Sequence, residues 1–379
     1  MSQQREPPEV AVVLSGGGAR AAYQVGLLRC LARLAPDYRF PIVTGVSAGA
    51  INAAFLASHP DGIAKATDDL TALWRDLKVR QVLDIDRLAL GRNVLRWLTR
   101  LAGGGRISPD VRALVDTQPL ARLLATCFGT VDGEIAGIAR NLERGGLKAM
   151  AITTLNYSTG QTVTWVQGRE IRPWERPTRL SRPARLTLSH VLASAALPMV
   201  FPAVRLADGW HGDGEVRLAA PLAPAVHLGA ERILAVSTRH PRNDEEPEVP
   251  THRYPPPAQI AGKLVSAIFL DALDQDARQL ERINSLLREI PPERRGGMRE
   301  IRCLVVRPSQ NLGRLAAQYE ITLPRSLRFL TRGLGTRETA SPDFLSLLMF
   351  QPDYLRRLIE IGEADAEARS EEIRRLVLE

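Results

Sequence analysis

FPIVTGVSAGAINAAFLAS, residues 40–58, runs apolar from Phe40 to Val43, tightens into Gly45-Val46-Ser47-Ala48-Gly49, and resumes as an alanine-rich segment of helical character. This is G-x-S-x-G placed between a buried strand and a helix. A sharp strand-to-helix turn of that kind holds its serine in a strained backbone conformation that only small neighbours permit, with the hydroxyl above the sheet and a helix N-terminus behind it. Ser47 is therefore the candidate nucleophile, and Gly45 and Gly49 are the small residues of its elbow.

One strand–helix unit upstream, EVAVVLSGGGARAAYQVGLLRCLARL (residues 9–34) has the same plan, with Gly16-Gly17-Gly18 at the junction. Glycines between a strand and a helix expose backbone N–H groups to negative charge, either a phosphate or an oxyanion. Gly16-x-Gly18-x-x-Ala21 fits a loose dinucleotide fingerprint. However, the nearest acid, Asp37, follows Pro36 and precedes the next strand, whereas a ribose-binding acid should end one. Beside a nucleophile elbow the oxyanion reading fits better. Gly17 and Gly18 then donate, Gly16 sets the turn, and Arg20, on the first turn of the helix, holds the loop or meets an anionic head group.

The base is less legible. The chain has six histidines, His59, His190, His211, His227, His240 and His252. His211 lies two residues before Asp213 in WHGDGEVRLAAPL (residues 210–222) and is the candidate for a conventional Ser-His-Asp triad. Asp213 itself is the other candidate. A carboxylate can serve as base if it reaches the serine in a dry pocket that raises its basicity.

Taken together, the motifs resemble the patatin-like phospholipase family, whose pattern is G-G-G-x-R/K, then G-x-S-x-G, then D-G-G or D-G-A. Gly16 to Arg20 match the first, Gly45 to Gly49 the second, and Asp213-Gly214 the third, with Glu215 standing where the family has a small residue. SHVLASAALPMVFPAV (residues 189–204) is similar to the A-S-x-x-x-P-x-x-F-P segment that leads toward the family's aspartate. LVDTQPLARLL and SLLMFQPDYLRRLIEIGEADA are similar to segments of bacterial members. The resemblance covers about residues 9–240. It implies a Ser47–Asp213 dyad, an oxyanion hole from Gly16, Gly17, Gly18 and Arg20, no metal or cofactor, and hydrolysis of glycerophospholipid or lysophospholipid esters through an acyl-Ser47 intermediate. The alternatives are a noncatalytic lipid-binding protein retaining the fold and a triad esterase acting on small soluble esters.

The rest of the chain is ordinary globular sequence, 379 residues with 45% hydrophobic and 24% charged content. Apolar β-branched runs near 10–15, 41–46, 148–154, 161–167, 232–238 and 301–307 alternate with helical patterns. AITTLNYSTGQTVTWV (residues 151–166) reads as a hairpin turning at Ser158-Thr159-Gly160. This predicts a three-layer α/β/α sandwich with a mixed, mainly parallel sheet. Residues 9–240 form the catalytic domain, with 61–145 inserted as a helical cap. Residues 241–379 add a Pro-rich acidic loop, a helix from Ala258 to Ile290, a strand, and a helical extension from Pro342.

The start lacks a signal-peptide apolar core, and the run from Val191 to Val204 is interrupted by Pro198 and Pro202, so a cytoplasmic protein is expected. Cys30, Cys127 and Cys303 are far apart, with neither disulfide nor zinc spacing. The net charge of +8 carries no nucleic-acid motif with it and suits peripheral contact with an anionic membrane on its inner face. GRNVLRWLTRLAGGG (residues 91–105) places Arg92, Arg96 and Arg100 among Val94, Leu95, Trp97, Leu98 and Leu101 at helical spacing. It reads as a lid, a membrane-surface helix or a cover helix packed on the core.

Overall fold

The computed structural model describes residues 8–83, 113, 115–240, 272–320 and 343–379. The basic segment 91–105 and the Pro-rich stretch that begins at Pro241 lie outside the described residues.

The chain opens with β1 (Val10–Leu14), a 3-10 turn at Gly18–Ala21 and α1 (Ala22–Leu34), then β2 (Ile42–Val46) and α2 (Ala48–Ser58). Helices α3 (Ile63–Arg75), α4 (Val79–Val82), α5 (Gln118–Phe128) and α6 (Ala136–Glu143) follow. Next come β3 (Ala149–Asn156), β4 (Thr162–Gly168), β5 (Glu175–Arg176), β6 (Arg179–Pro183), α7 (Leu188–Ser194), β7 (Val204–Leu206) and β8 (Gly209–Asp213). The described remainder is α8 (Ala223–His227), β9 (Arg232–Val236), α9 (Ala272–Arg288), β10 (Arg302–Val306), α10 (Leu312–Ala317), α11 (Asp343–Leu347), α12 (Pro352–Ala368) and α13 (Ser370–Val377).

The strands form one mixed sheet in the order β10-β9-β1-β2-β3-β4-β6-β5. The five strands from β10 to β3 run parallel, β4 returns antiparallel as the second arm of the expected hairpin, and β8 pairs with the far end of β3. Gly160 in that hairpin turn has φ +66°. The central strands are buried on both faces. Val10, Val12, Leu14, Leu234 and Val236 enter one apolar core, while Ala11, Val13, Ile233 and Ala235 enter a second on the opposite face. This double burial explains why their sequences read as unbroken apolar runs rather than alternating ones. Helices cover both faces, giving the expected three-layer sandwich.

The larger core holds α1, α2, α3 and the C-terminal α12. Helices α1 and α12 approach backbone to backbone at Gly26 and Gly362, where a side chain on Gly26 would strike the Ile359 carbonyl and one on Gly362 the Tyr23 carbonyl. The C-terminal extension is thus seated directly on the first helix of the fold. Within 61–145, α3 packs on α1 and α6 on α2, so both lie within the helical layer over the larger core. Strands β5 to β8 are absent from the sequence expectation. They are short, and Arg and Pro residues in β5 and β6 and glycines in β8 hide the apolar pattern.

Candidate active site

Both βα junctions identified in the sequence open at the carboxyl edge of the parallel strands, where open α/β sheets place their ligands. Ser47 joins β2 to α2 with φ 54° and ψ −133°, a left-handed conformation that a serine adopts at strain. The flanking glycines are required by contact. A Cβ on Gly45 would lie 2.6 Å from the Gly49 carbonyl oxygen, and one on Gly49 would strike the carbonyl of Leu14 at the end of β1. The elbow and the end of β1 therefore meet backbone to backbone at Gly49.

The Ser47 hydroxyl donates to Asp213 Oδ2 at 2.6 Å. Asp213 ends β8, and its other oxygen, Oδ1, accepts the Glu215 N–H at 2.9 Å. The carboxyl is 1% exposed, and burial pushes its pKa up to about 7 against the hydrogen bonds from Ser47 and Glu215 that favour its charge. A base poised there can take a proton near neutral pH and return it.

Gly16, Gly17 and Gly18 lead from β1 into the 3-10 turn. Gly17 (φ +140°) and Gly18 (φ +54°) hold positive-φ conformations that favour glycine, and both line the cavity in front of Ser47. Among the described residues neither N–H has an acceptor. The Gly16 N–H is engaged by Glu215 Oε1 at 3.2 Å, and the Gly16 carbonyl accepts from Thr238 Oγ1 at 2.5 Å. Arg20 is buried beneath the loop, and its Nε donates to Ser346 Oγ of α11 at 2.6 Å. It does not line the cavity in front of Ser47.

His211 is placed elsewhere. It is wholly buried, with Nδ1 2.9 Å from Thr154 Oγ1, Nε2 2.7 Å from Asp208 Oδ1, and its ring against Trp165. Burial lowers its pKa, and both ring nitrogens are engaged away from Ser47. His190 turns into its own helix cap, with Nδ1 at 2.8 Å from Thr187 Oγ1.

Two supports escaped sequence reasoning. Ser194, at the end of α7, accepts the Ser47 N–H at 2.9 Å and donates to the Thr153 carbonyl at 2.7 Å, bracing the elbow against β3. Its place in the A-S segment was the available signal. Buried Asn52 receives Trp74 Nε1 at 2.8 Å and donates to Gln24 Oε1 at 2.8 Å, while Gln24 donates to the Ser15 carbonyl at 2.6 Å. This chain ties the cavity wall to the glycine loop. No local pattern marks it, because its members are far apart in sequence.

The cavity over Ser47 is walled by Ile51, Leu73, Trp74, Leu124, Leu197 and Phe350, with Asp213 and Glu215 among its few polar side chains. Among the described residues there is no cluster of three or more His, Cys, Asp or Glu that could hold a metal, and no helix long and apolar enough to cross a membrane.

The sequence profile described as patatin-like phospholipase matches residues 12–226, more than half of the chain and all three motifs. The chain belongs to the patatin-like phospholipase family. Among solved structures, human GIVD cytosolic phospholipase A2 aligns over 99% of this chain and 60% of its own, at 15% identity and a TM-score of 0.50. VipD from Legionella pneumophila aligns over 97% of this chain and 67% of its own, at 13% identity and a TM-score of 0.42. ExoU of Pseudomonas aeruginosa, in its complex with SpcU, aligns over 98% and 78%, at 17% identity and a TM-score of 0.30. The likeness to the human enzyme is one of fold, and this chain spans about 60% of that protein's chain. No curated protein sequence matches this one.

Proposed function

We propose that the protein is a serine acyl hydrolase that cleaves ester bonds of glycerophospholipids or lysophospholipids. The observation that carries this reading is the 2.6 Å hydrogen bond from Ser47 to a buried Asp213 at the foot of an apolar cavity. The family supplies the lipid class, and the aliphatic wall suits an acyl chain.

In the proposed reaction Ser47 Oγ attacks the ester carbonyl carbon as its proton passes to Asp213 Oδ2. The Gly17 and Gly18 N–H groups receive the oxyanion, a contribution of about 3 kcal/mol per donor in comparable sites. Protonated Asp213 then gives its proton to the departing alkoxide, leaving acyl-Ser47. In the second half Asp213 takes a proton from water, the hydroxide adds to the acyl carbon, and collapse frees the fatty acid while Ser47 regains its proton. Arg20 supports this geometry from below by pinning the loop to α11. We place the chemistry at an anionic membrane surface, a reading supported by the +8 charge and the basic segment 91–105.

The test is labelling by a fluorophosphonate together with hydrolysis of phospholipid and lysophospholipid vesicles, for wild type and Ser47→Ala. Labelling and hydrolysis should both vanish in the variant. An intact wild type that is neither labelled nor active would refute the proposal.

A further inference from the structure

Glu215 is the second residue of the 3-10 turn Gly214–Arg217 after β8, and its side chain reaches the glycine loop. Oε1 accepts the Gly16 N–H at 3.2 Å. Oε2 fills the space a side chain on Gly16 would need, and Ser47 Cβ lies 2.6 Å from that same Cβ position. A second carboxyl group thus lies against the glycine loop close to the stem of the nucleophile. It lines the apolar cavity together with Asp213, and also a more polar recess behind the loop beside Arg20, Ser237 and Arg239.

We propose that Glu215 is a positioning residue of the acyl-transfer site that works in its protonated form, holding the Gly16 amide and so the loop that presents the Gly17 and Gly18 N–H groups. The proposal rests on the Ser47–Asp213 reading of the site. With Glu215 neutral, the site carries one negative charge throughout: on Asp213 before attack, and on the tetrahedral oxyanion once Asp213 holds the proton. An ionised Glu215 adds a second negative charge beside the first, and the oxyanion then forms next to a carboxylate. Its proton is exchanged with water and is not consumed.

The surroundings act on that proton in both directions. Burial and the neighbouring Asp213 raise the pKa of Glu215 well above the usual carboxylate range, against the Gly16 N–H and Arg20, which favour the charge. Among the described residues, the recess that Glu215 lines also holds Arg239, a second cation that favours the charge, with Ser237, Thr238, Leu273 of α9 and Leu347 of α11. Arg20 directs its Nε to Ser346 rather than to this carboxyl.

The experiment measures kcat/KM on a soluble short-chain ester from pH 6 to 9.5 for wild type, Glu215→Gln and Glu215→Ala, with thermal unfolding over the same range. Wild type should rise as Asp213 loses its proton and fall again at higher pH. Glu215→Gln cannot ionise, so its rate relative to wild type should climb about tenfold per pH unit beyond that fall. Glu215→Ala should also lack the alkaline limb, yet turn over more slowly than Gln at every pH because Gly16 has lost its acceptor. The Tm of the Gln variant should gain on wild type as pH rises, a readout that needs no turnover. An alkaline limb persisting in Gln, equal kcat in Gln and Ala, or a Tm difference flat in pH would overturn the proposal. Undiminished turnover in Asp213→Asn would instead refute the dyad and leave the Tm result for Glu215 standing.

Discussion

Asp213→Asn should abolish most of the activity while making the protein more stable at neutral and alkaline pH. Asparagine keeps the shape. Its Oδ1 can still accept the Glu215 N–H, and its Nδ2 can donate to Ser47 Oγ, so the two hydrogen bonds of the native carboxyl have counterparts. What disappears is the charge. The native fold raises this carboxyl from its ordinary 3.8 to about 7, chiefly by burying it. The folded protein therefore binds the proton more tightly than the unfolded chain. The group's contribution to stability is full below about pH 4 and is lost as pH rises toward 7. At about 1.4 kcal/mol per tenfold change in the proton equilibrium, ionised Asp213 costs the fold on the order of 4 kcal/mol above pH 7.

The assay is the difference in Tm between Asp213→Asn and wild type across pH 4 to 8.5. An advantage of several degrees at pH 8 should shrink as pH falls toward 4, where the native carboxyl is neutral as well. The rate should drop at least about 10²-fold, the usual scale for loss of a general base. An Asn variant no more stable than wild type at pH 8, or one whose advantage does not change with pH, would refute the claim that burial raises the pKa of this base.

Ser47→Ala should eliminate fluorophosphonate labelling with little change in Tm; labelling that survives at another serine would identify a different nucleophile. His211→Gln should lose far less rate than Asp213→Asn, since its ring faces Thr154 and Asp208; the reverse order in steady-state kinetics would favour a histidine triad. Ser194→Ala leaves the Ser47 N–H and the Thr153 carbonyl unpaired in the interior, so denaturant unfolding should show a loss of about 1–3 kcal/mol and kcat should fall as the elbow loosens. Changing Arg92, Arg96 and Arg100 to glutamine should weaken binding and hydrolysis of anionic vesicles in a salt-dependent way while sparing a soluble ester; equal loss on both substrates would make the segment structural.

What the sequence made legible was local. A glycine loop and a G-x-S-x-G turn each announce themselves within ten residues, because steric constraint acts on neighbours in the chain. The parallel strands were equally readable, since burial on both faces leaves largely apolar runs, with buried Thr44 in β2 and Thr153 and Thr154 in β3 as their polar members. Asp213 was readable from its motif, and the family resemblance implied its role as base, but the residues alone left both Asp213 and His211 open. The choice between Asp213 and His211 as base depends on which ring and carboxyl atoms meet Thr154, Asp208 and Ser47 across the sheet. The same limit hid Ser194 and the Trp74–Asn52–Gln24 chain, whose members meet only through tertiary packing. Strands β5 to β8 were missed for a different reason: two to five residues broken by Arg, Pro and Gly cannot show a period.

The C-terminal segment, read from sequence as an extension of the fold, has a place in the site. Gly18 lies so close to the Leu347 carbonyl that no side chain could stand between them, and Arg20 reaches Ser346 from the same turn. Leu347, Leu348 and Phe350 then continue into the cavity wall over Ser47. The glycine loop is thus held from three directions: by Glu215 at Gly16, by Thr238 at the Gly16 carbonyl, and by α11 at Gly18 and Arg20. An oxyanion site stabilises charge without reorganising only if its donors are fixed beforehand. A loop of three glycines cannot fix itself, because glycine has the largest conformational freedom to lose. Residues hundreds of positions away therefore supply the rigidity that Gly17 and Gly18 lack, and in the proposed reaction this gives α11 a supporting part although it contributes no reacting group.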